Sequence, residues 1–424
     1  MKATVDQLKR RLESALAAGA VDGEADRIER YQVDGRKPAL VVQPQSAAEI
    51  AASLRICYEA EATVIPQGSG TAMSIGNPPR RADVVIVLSK FNRLIEHDAA
   101  NLTASVQSGA TLSAVQAALR GQKQFVPFDP PFANRATFGA IVAANLNGPR
   151  RNGYGSVRDL VIGAKVTLAS GEEIKAGGKV VKNVAGYDLC KLFVGSLGTL
   201  GIITEITFRV TPILESSAAL VAVGELTQAE RFSAALLGSA LLPVGVYLFH
   251  EHDRKDWSVA VGWEGFEDTV ARQLRESAVL ASDAGLENAI LRDEEQSDLW
   301  LQLSDLPLAG ERVVYRVTLP RAAVFDFLKA AQHGPPLKIA ADAALGTIWL
   351  VCAAKSASLE LFPRLTEWAR ARRGHAVIFA APAELKLAVD VWGPSPSTLS
   401  LMREVKRQFD PKGLLNPGRF VGAI

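Results

Sequence analysis

A chain of 424 residues has room for two to three domains and is no small scaffold held together by disulfides or metal. Its 47 Lys and Arg against 45 Asp and Glu leave a net charge of +2, so no field of one sign draws it to nucleic acid or to an anionic membrane. With 48% hydrophobic and 22% charged residues it has the composition of an ordinary globular protein.

The segment Met1–Ala20 mixes Asp6, Lys9, Arg10, Arg11 and Glu13 with apolar residues and predicts a surface helix, not a signal peptide. Ala39–Val42 reads as a strand. Ser46 and Glu49 then stand at capping-box spacing before a helix that runs to about Glu61. A strand at Thr63–Pro66, a glycine-containing loop from Gln67 to Asn77 and an apolar strand at Asp83–Leu88 follow. Strands near Leu94 and Ala104 and a helix over Thr111–Leu119 come next. Between Asn134 and Asp159 stand Gly139, Gly148, Gly153 and Gly155, which let backbone approach a bulky ligand. Arg150 and Arg151, among them, are expected in solvent. A strand at Gly163–Ala169 turns at Ser170-Gly171 into its hairpin partner. Ala185–Phe193 reads as a helix, and Ile202–Val210 as a strand ended by Pro212.

Beyond Pro212, Ala218 to about Leu291 and Val313 to about Ala381 each read as strand, helix, strand, strand, helix, strand. The helices fall near Thr227–Leu242, Glu267–Ala284, Arg321–Gln332 and Leu359–Arg373. Each passage is a split βαβ, ferredoxin-like unit, and two side by side predict one wide antiparallel sheet. The uncharged run Phe232–His250 has the length of a membrane span, but Gly238 and Pro243 divide it into an amphipathic helix and a strand.

Cys57, Cys190 and Cys352 are far apart in sequence. Iron–sulfur and structural zinc sites need close sets of Cys or His ligands, so the chain houses neither alone, and an odd cysteine count fits the reducing cytoplasm. In Pro66-Gln67-Gly68-Ser69-Gly70-Thr71, successive small residues expose backbone amides able to cradle a diphosphate. This is no dinucleotide fingerprint: Met73 stands where a third glycine would, and no helix opens inside the loop. The Gly178-Lys179 pair is followed by Val180, which excludes a Walker loop. A second stretch runs from Thr137-Phe138-Gly139 through Asn145 and Gly148 to Tyr154-Gly155. A third runs from Lys182 through Gly186-Tyr187-Asp188-Leu189 to Gly198-Thr199-Leu200-Gly201, and the tail carries Asn416-Pro417-Gly418-Arg419-Phe420.

In this order the stretches resemble the FAD-linked oxidases with a flavin domain of the vanillyl-alcohol oxidase and p-cresol methylhydroxylase type, over roughly Ala39–Pro212 and the tail. Gly186-Tyr187-Asp188-Leu189, Gly198-Thr199-Leu200-Gly201 and Pro417-Gly418-Arg419-Phe420 are similar, more closely, to the flavin subunits of bacterial glycolate oxidase (glycolate dehydrogenase), the shorter second subunit in particular. The resemblance implies an α+β fold: a two-subdomain FAD-binding domain over 1–212, a ferredoxin-like cap domain with a wide antiparallel sheet over 213–397, and a tail, 398–424, returning to the FAD domain. It implies FAD, held noncovalently because relatives that attach it place a histidine in or beside the first loop, and the nearest here is His97. Pro66, Gln67, Gly68, Ser69, Gly70 and Thr71 would wrap the diphosphate. Thr137, Gly139 and Asn145 would line the flavin, and Gly198, Ile202 and Ile203 the ribityl or adenine portion. Asp129 and Pro130 would stand near the isoalloxazine edge, and Gly148, Tyr154 and Gly155 complete the set. It further implies a small 2-hydroxyacid substrate, a catalytic flavin subunit and an iron–sulfur subunit as partners, and membrane contact only peripheral and through them.

Certain departures bear on chemistry. The histidine-rich stretch of catalytic relatives is missing: His97, His250, His252, His333 and His375 lie beside no Gly-Asp-Gly-Asn. His250-Glu251-His252 is expected to be an exposed strand end and not a metal site. Leu197 stands where those relatives show glutamate, and Ala140 and Ile141 replace a glycine and an asparagine. No residue declares itself as the base, or as the cation for a substrate carboxylate, so the catalytic residues stay unassigned and no metal is expected. The sequence thus reads as the FAD-binding subunit of a complex oxidising glycolate to glyoxylate, with electrons leaving through an iron–sulfur partner. A self-sufficient FAD-dependent 2-hydroxyacid or alcohol dehydrogenase and a flavin-fold assembly subunit are the alternatives.

Overall fold

The computed structural model describes residues 4–178, 187–308, 312–332, 335, 337–354 and 360–424. They fall into two compact units. The first comprises Met1–Leu146, Ser156–Pro212 and Lys386–Ile424, and the second Asn147–Gly155 and Ile213–Leu385.

In the first unit, Val21–Asp22 (β1), Leu40–Val42 (β2), Val64–Gln67 (β3) and Val84–Val87 (β4) form a sheet ordered β1-β2-β4-β3, with β2 and β3 parallel to β4. Every residue of β2 and β4 is buried, the continuous apolar run of strands covered on both faces. One face packs Val84 and Ile86 against Leu8 and Leu12 of the helix Val5–Ala15 and Ile50 and Leu54 of the helix Ala47–Glu59. The other packs Val41, Ile65 and Val85 against Ile28 and Val33. The capping box before Ala47–Glu59 is only half formed. The Ser46 hydroxyl accepts from the Glu49 amide at 3.2 Å, whereas the Glu49 carboxylate accepts from the amides of Gln45 and Ala17 at 2.6 and 3.2 Å.

The unit's second sheet contains Leu94–Asp98 (β5) and Thr103–Gln107 (β6). After the short Gln124–Phe125 (β7) come Val161–Thr167 (β8), Glu173–Gly177 (β9) and Ile202–Arg209 (β10), and the sheet order is β5-β6-β10-β8-β9, all antiparallel. Thr211–Pro212 (β11) pairs with β7. Phe138, Phe128 and Phe208 cluster within one core, the first and last stacked at 4.8 Å.

The second unit is built on Ser216–Gly224 (β12), Gly245–His250 (β13), Trp257–Gly265 (β14), Glu287–Leu291 (β15), Arg312–Thr318 (β16), Lys338–Asp342 (β17), Thr347–Ala353 (β18) and His375–Ala380 (β19). They make one antiparallel sheet, β15-β12-β14-β13-β17-β18-β16-β19. Each half has the ferredoxin-like order, and the halves join where β13 meets β17, from Tyr247 opposite Asp342 to His250 opposite Ile339. This is the α+β architecture and the wide sheet that the sequence predicts.

The local differences have physical causes. The helix expected to reach Leu242 is Leu226–Leu237 and stops at Gly238, whose amide turns back to Ala234 and Leu236. Among the described residues no helix is long and apolar enough to cross a membrane. An additional helix, Asp293–Asp305, carries Asp293, Glu294 and Glu295 in its first turn, where carboxylates favour the helix dipole, but shows little apolar periodicity to betray it. His250 is not exposed: it is buried, stacked on Trp257 at 4.6 Å, with its Nδ1 3.1 Å from the Asp256 carbonyl. Of the helix expected over Ala185–Phe193, Cys190–Phe193 is helical. Lys179, Val180, Lys182, Ala185, Gly186 and His333 lie outside the described residues. All three cysteines are free and buried.

Candidate functional site

The strand β3 carries Pro66 and Gln67 to the rim of the parallel sheet, where the chain turns through Gly68, Ser69 and Gly70. Gly68 faces Thr137. A Cβ on Gly68 would stand 2.1 Å from the Thr137 hydroxyl and 3.1 Å from its Cβ and Cγ2. That hydroxyl caps the helix Phe138–Ala144, accepting from the Ala140 amide. The Gly139 amide donates to the Ser108 carbonyl at 2.7 Å, and the amides of Gly195 and Leu197 donate to Val142 and Ala143 at 2.9 and 2.8 Å. Gly198 has a φ of 69°, and a Cβ there would lie 2.6 Å from Pro66. The tail runs alongside: Val64 donates to Leu414 at 2.9 Å and Asn416 to Val64 at 2.8 Å, while the Asn416 side chain donates to the Leu197 carbonyl. Three stretches and the tail, distant in sequence, thus converge around a cleft within the first unit.

Two buried cations anchor the tail. Lys406 donates to Asp410 at 2.7 Å and to the carbonyls of Thr199 and Leu415 at 2.7 and 2.9 Å. Burial pulls its pKa down, against the pull of Asp410. Arg419 is 2% exposed and lines the cleft. Its Nη2 donates to the Met73 carbonyl at 2.7 Å and to that of Ile75, but its buried Nε and Nη1 have no partner. Burial lowers its pKa to about 10, opposed by Asp34, so it remains a cation at neutral pH. The Ser108 hydroxyl and the Asn416 amide oxygen, also buried in the wall, are likewise unpartnered.

A buried guanidinium with two nitrogens left unpaired is costly, since buried polar groups are normally satisfied. The wall therefore asks for an anionic, hydrogen-bonding occupant beside a small-residue loop. Its remaining surface, with Ile75, Leu88, Ala140, Ala143 and Leu197, is apolar and fits a flat ring system. A dinucleotide carrying a diphosphate and a flavin meets both demands.

Residues 38–177 match the family model described as the FAD binding domain, and residues 394–420 that of the FAD linked oxidases, C-terminal domain. The glycolate oxidase subunit GlcE of Escherichia coli (strain K12) is 30% identical over 371 residues, 85% of this chain and 93% of that protein. The chain belongs to the FAD-linked oxidases. The glycolate oxidase subunit GlcD of Bacillus subtilis (strain 168) is 28% identical over 443 residues, 95% of this chain and 92% of that one. The crystal structure of p-cresol methylhydroxylase with substrate bound shares the fold, with a TM-score of 0.76 over 98% of this chain and 96% of that one at 15% identity. This FAD-linked oxidase is an oxidoreductase, and its cofactor is FAD.

Of the residues expected at the cofactor, Pro66, Gln67, Gly68, Gly70, Thr137, Gly139, Gly198, Ile202 and Ile203 line the oxidase's cleft. Ser69 is exposed in the loop, and Thr71 sits beside it with a buried, unpartnered hydroxyl. Asn145 is the left-handed residue closing the helix Phe138–Ala144, with a φ of 49°. Neither it nor Asp129 and Pro130 forms the cleft wall. Gly148, Tyr154 and Gly155 go with the second unit, because Gly153 donates to the Val244 carbonyl at 3.0 Å and the Asn152 side chain to that of Pro243 at 2.6 Å. There the Tyr154 hydroxyl donates to Glu264, and Arg150, expected in solvent, is mostly buried 3.2 Å from the same carboxylate. Arg151 is exposed, as expected. Sequence reasoning missed Arg419 and Ser108. Arg419 lies within the Pro417-Gly418-Arg419-Phe420 motif, and nothing local marks its charge as buried.

Proposed function

We propose that this FAD-linked oxidase holds FAD noncovalently in the cleft and oxidises a small 2-hydroxycarboxylate, glycolate first, as a flavin subunit that hands its electrons to an iron–sulfur partner. The observation that carries the cofactor part is the cationic Arg419, buried in the wall with two unpartnered nitrogens beside the Gly68–Gly70 loop. Bound FAD supplies the acceptor for the hydride of the substrate's C–H bond. Arg419 and the loop amides would hold the diphosphate, Ser108 and Asn416 would hydrogen-bond the cofactor, and the apolar wall would keep water from its ring. The described cleft wall contains no His, Cys or Tyr to attach it, which supports noncovalent binding.

The substrate class rests on two relatives named as glycolate oxidase subunits, each matched over nearly its whole length. The need for a partner rests on the cysteines. Burial raises the thiol of Cys57 to about 12 and that of Cys190 to about 11, so neither is poised as a thiolate ligand or redox group. Membrane contact, in this reading, is peripheral and made through the partner. The test is an anaerobic visible spectrum of the purified chain before and after glycolate. Bleaching of bound flavin supports the reading and places the chemistry on this chain; flavin that bleaches only once partner subunits are added assigns it a relay role. A colourless chain refutes the cofactor reading.

A further inference from the structure

The sequence leaves the cation for a substrate carboxylate unassigned, and the second unit contains one that has no acid partner among the described residues. Arg316 lies on β16, whose alternate residues face opposite ways. Its neighbour Tyr315 stacks on Phe362 of the helix Leu361–Ala371 at 6.2 Å, so Arg316 points to the other face of the sheet. There it stands opposite Trp349 of β18 and Val377 of β19. Its guanidinium lies 5.2 Å from the ring of Phe379 and 5.9 Å from that of Trp349, two rings that meet edge to face at 4.9 Å.

No described residue gives Arg316 a hydrogen bond or an ion pair, and its Nε is buried without a partner. Arg150 in the same unit has Glu264, and in the first unit Lys386 has Asp34 and Lys406 has Asp410. Burial, with the field of Arg151 added, lowers the pKa of Arg316 to about 10, and burial, with the field of Arg316 added, lowers that of His375. Arg316 therefore stays protonated at neutral pH. A guanidinium stacked on aromatic faces keeps its N–H edge for a planar anion, and a carboxylate matches that edge in a bidentate pair.

We propose that Arg316 is the group on which the carboxylate of a small 2-hydroxyacid seats, with Trp349 and Phe379 fixing its orientation. The inference rests on the 2-hydroxycarboxylate reading of the function and adds the residue that recognises that class. It also accounts for a buried guanidinium nitrogen that no described residue satisfies.

The test is isothermal titration of the full-length, FAD-loaded protein with glycolate and with glycolamide, its neutral amide, for wild type, Arg316→Gln and Arg316→Lys, with flavin content measured in each. Glycolate should bind wild type about tenfold or more tightly than glycolamide, a charge-assisted pair being the difference. Arg316→Gln should lose that preference at unchanged flavin content, and Arg316→Lys should keep part of it. Equal binding of the two ligands to wild type overturns the proposal, as does glycolate affinity undiminished in Arg316→Gln. The wild-type comparison decides the matter even if Arg316→Gln does not fold. A wild type that binds glycolate but carries no flavin defeats the cofactor reading instead. One whose flavin is reduced by glycolate while Arg316→Gln keeps full affinity defeats only the role of Arg316.

Discussion

Replacing Gly68 with alanine adds one methyl group to the point where the loop after β3 meets the cap of the next helix. The new Cβ would lie 2.1 Å from the Thr137 hydroxyl, about 1.3 Å short of the 3.4 Å at which ordinary contact begins. Rotating the threonine gives little relief, since its Cβ and Cγ2 are both 3.1 Å away and the residue is 1% exposed. Overpacking of this kind costs roughly 1–3 kcal/mol. If Thr137 gives way, the helix Phe138–Ala144 loses its cap, worth about 1 kcal/mol more. If the loop gives way instead, it moves within the cleft wall, and a loss of about 2 kcal/mol of cofactor affinity is roughly thirtyfold. The assay is the flavin-to-protein absorbance ratio after gel filtration, beside urea unfolding. Gly68→Ala should lose most of its flavin and unfold at lower urea. Gly121→Ala, whose Cβ would meet only Ala118 O at 3.5 Å, should keep both at wild-type values. A Gly68→Ala protein with full flavin and unchanged unfolding would mean that the loop does not form the cofactor's wall.

Arg419→Met removes the buried cation from the cleft, and equilibrium dialysis should show FAD held about tenfold to a hundredfold more weakly, the range for a charge-assisted hydrogen bond. Lys406→Met leaves the Asp410 carboxylate, whose side chain is 0% exposed, without its cation. Breaking such a pair costs about 3–5 kcal/mol, so thermal unfolding should fall sharply, with part of the loss recovered in Lys406→Met with Asp410→Asn. Asp83 is half-buried, and burial alone would raise its pKa; hydrogen bonds from Arg81 and from the amide and hydroxyl of Thr63, the latter two at 2.7 Å, outweigh that and hold it below the ordinary carboxylate range. Its stabilisation is therefore complete above about pH 4 and lost as pH falls through the depressed value. Asp83→Asn should lower stability near neutrality and flatten the acid limb of urea midpoints measured against pH.

What was legible in the sequence was what is written locally. The small residues of Gln67–Thr71 mark the turn after β3, the unbroken apolar run at Val84–Val87 marks a strand covered on both faces, and the two split βαβ passages repeat their order plainly enough to predict the sheet. What was not legible depends on residues far apart. Asn416 meets Leu197, and Arg419 meets Met73 and Ile75, across separations no spacing rule describes. The Asn147–Gly155 segment sits among flavin-domain stretches in sequence, which points its glycines and Tyr154 at the cofactor, but it is bonded to Pro243, Val244 and Glu264. Arg316 looks like any strand arginine until the pairing of β16 with β18 and β19 sets it beside Trp349 and Phe379 and, among the described residues, without an ion-pair partner.

Everything proposed for this chain depends on one FAD sitting, unattached, in its cleft. The most direct measurement is the flavin released when the purified protein is denatured and its polypeptide removed. The expected result is close to one FAD per chain, all of it in the supernatant. A chain that purifies without flavin, or one whose flavin stays with the denatured polypeptide, would contradict it.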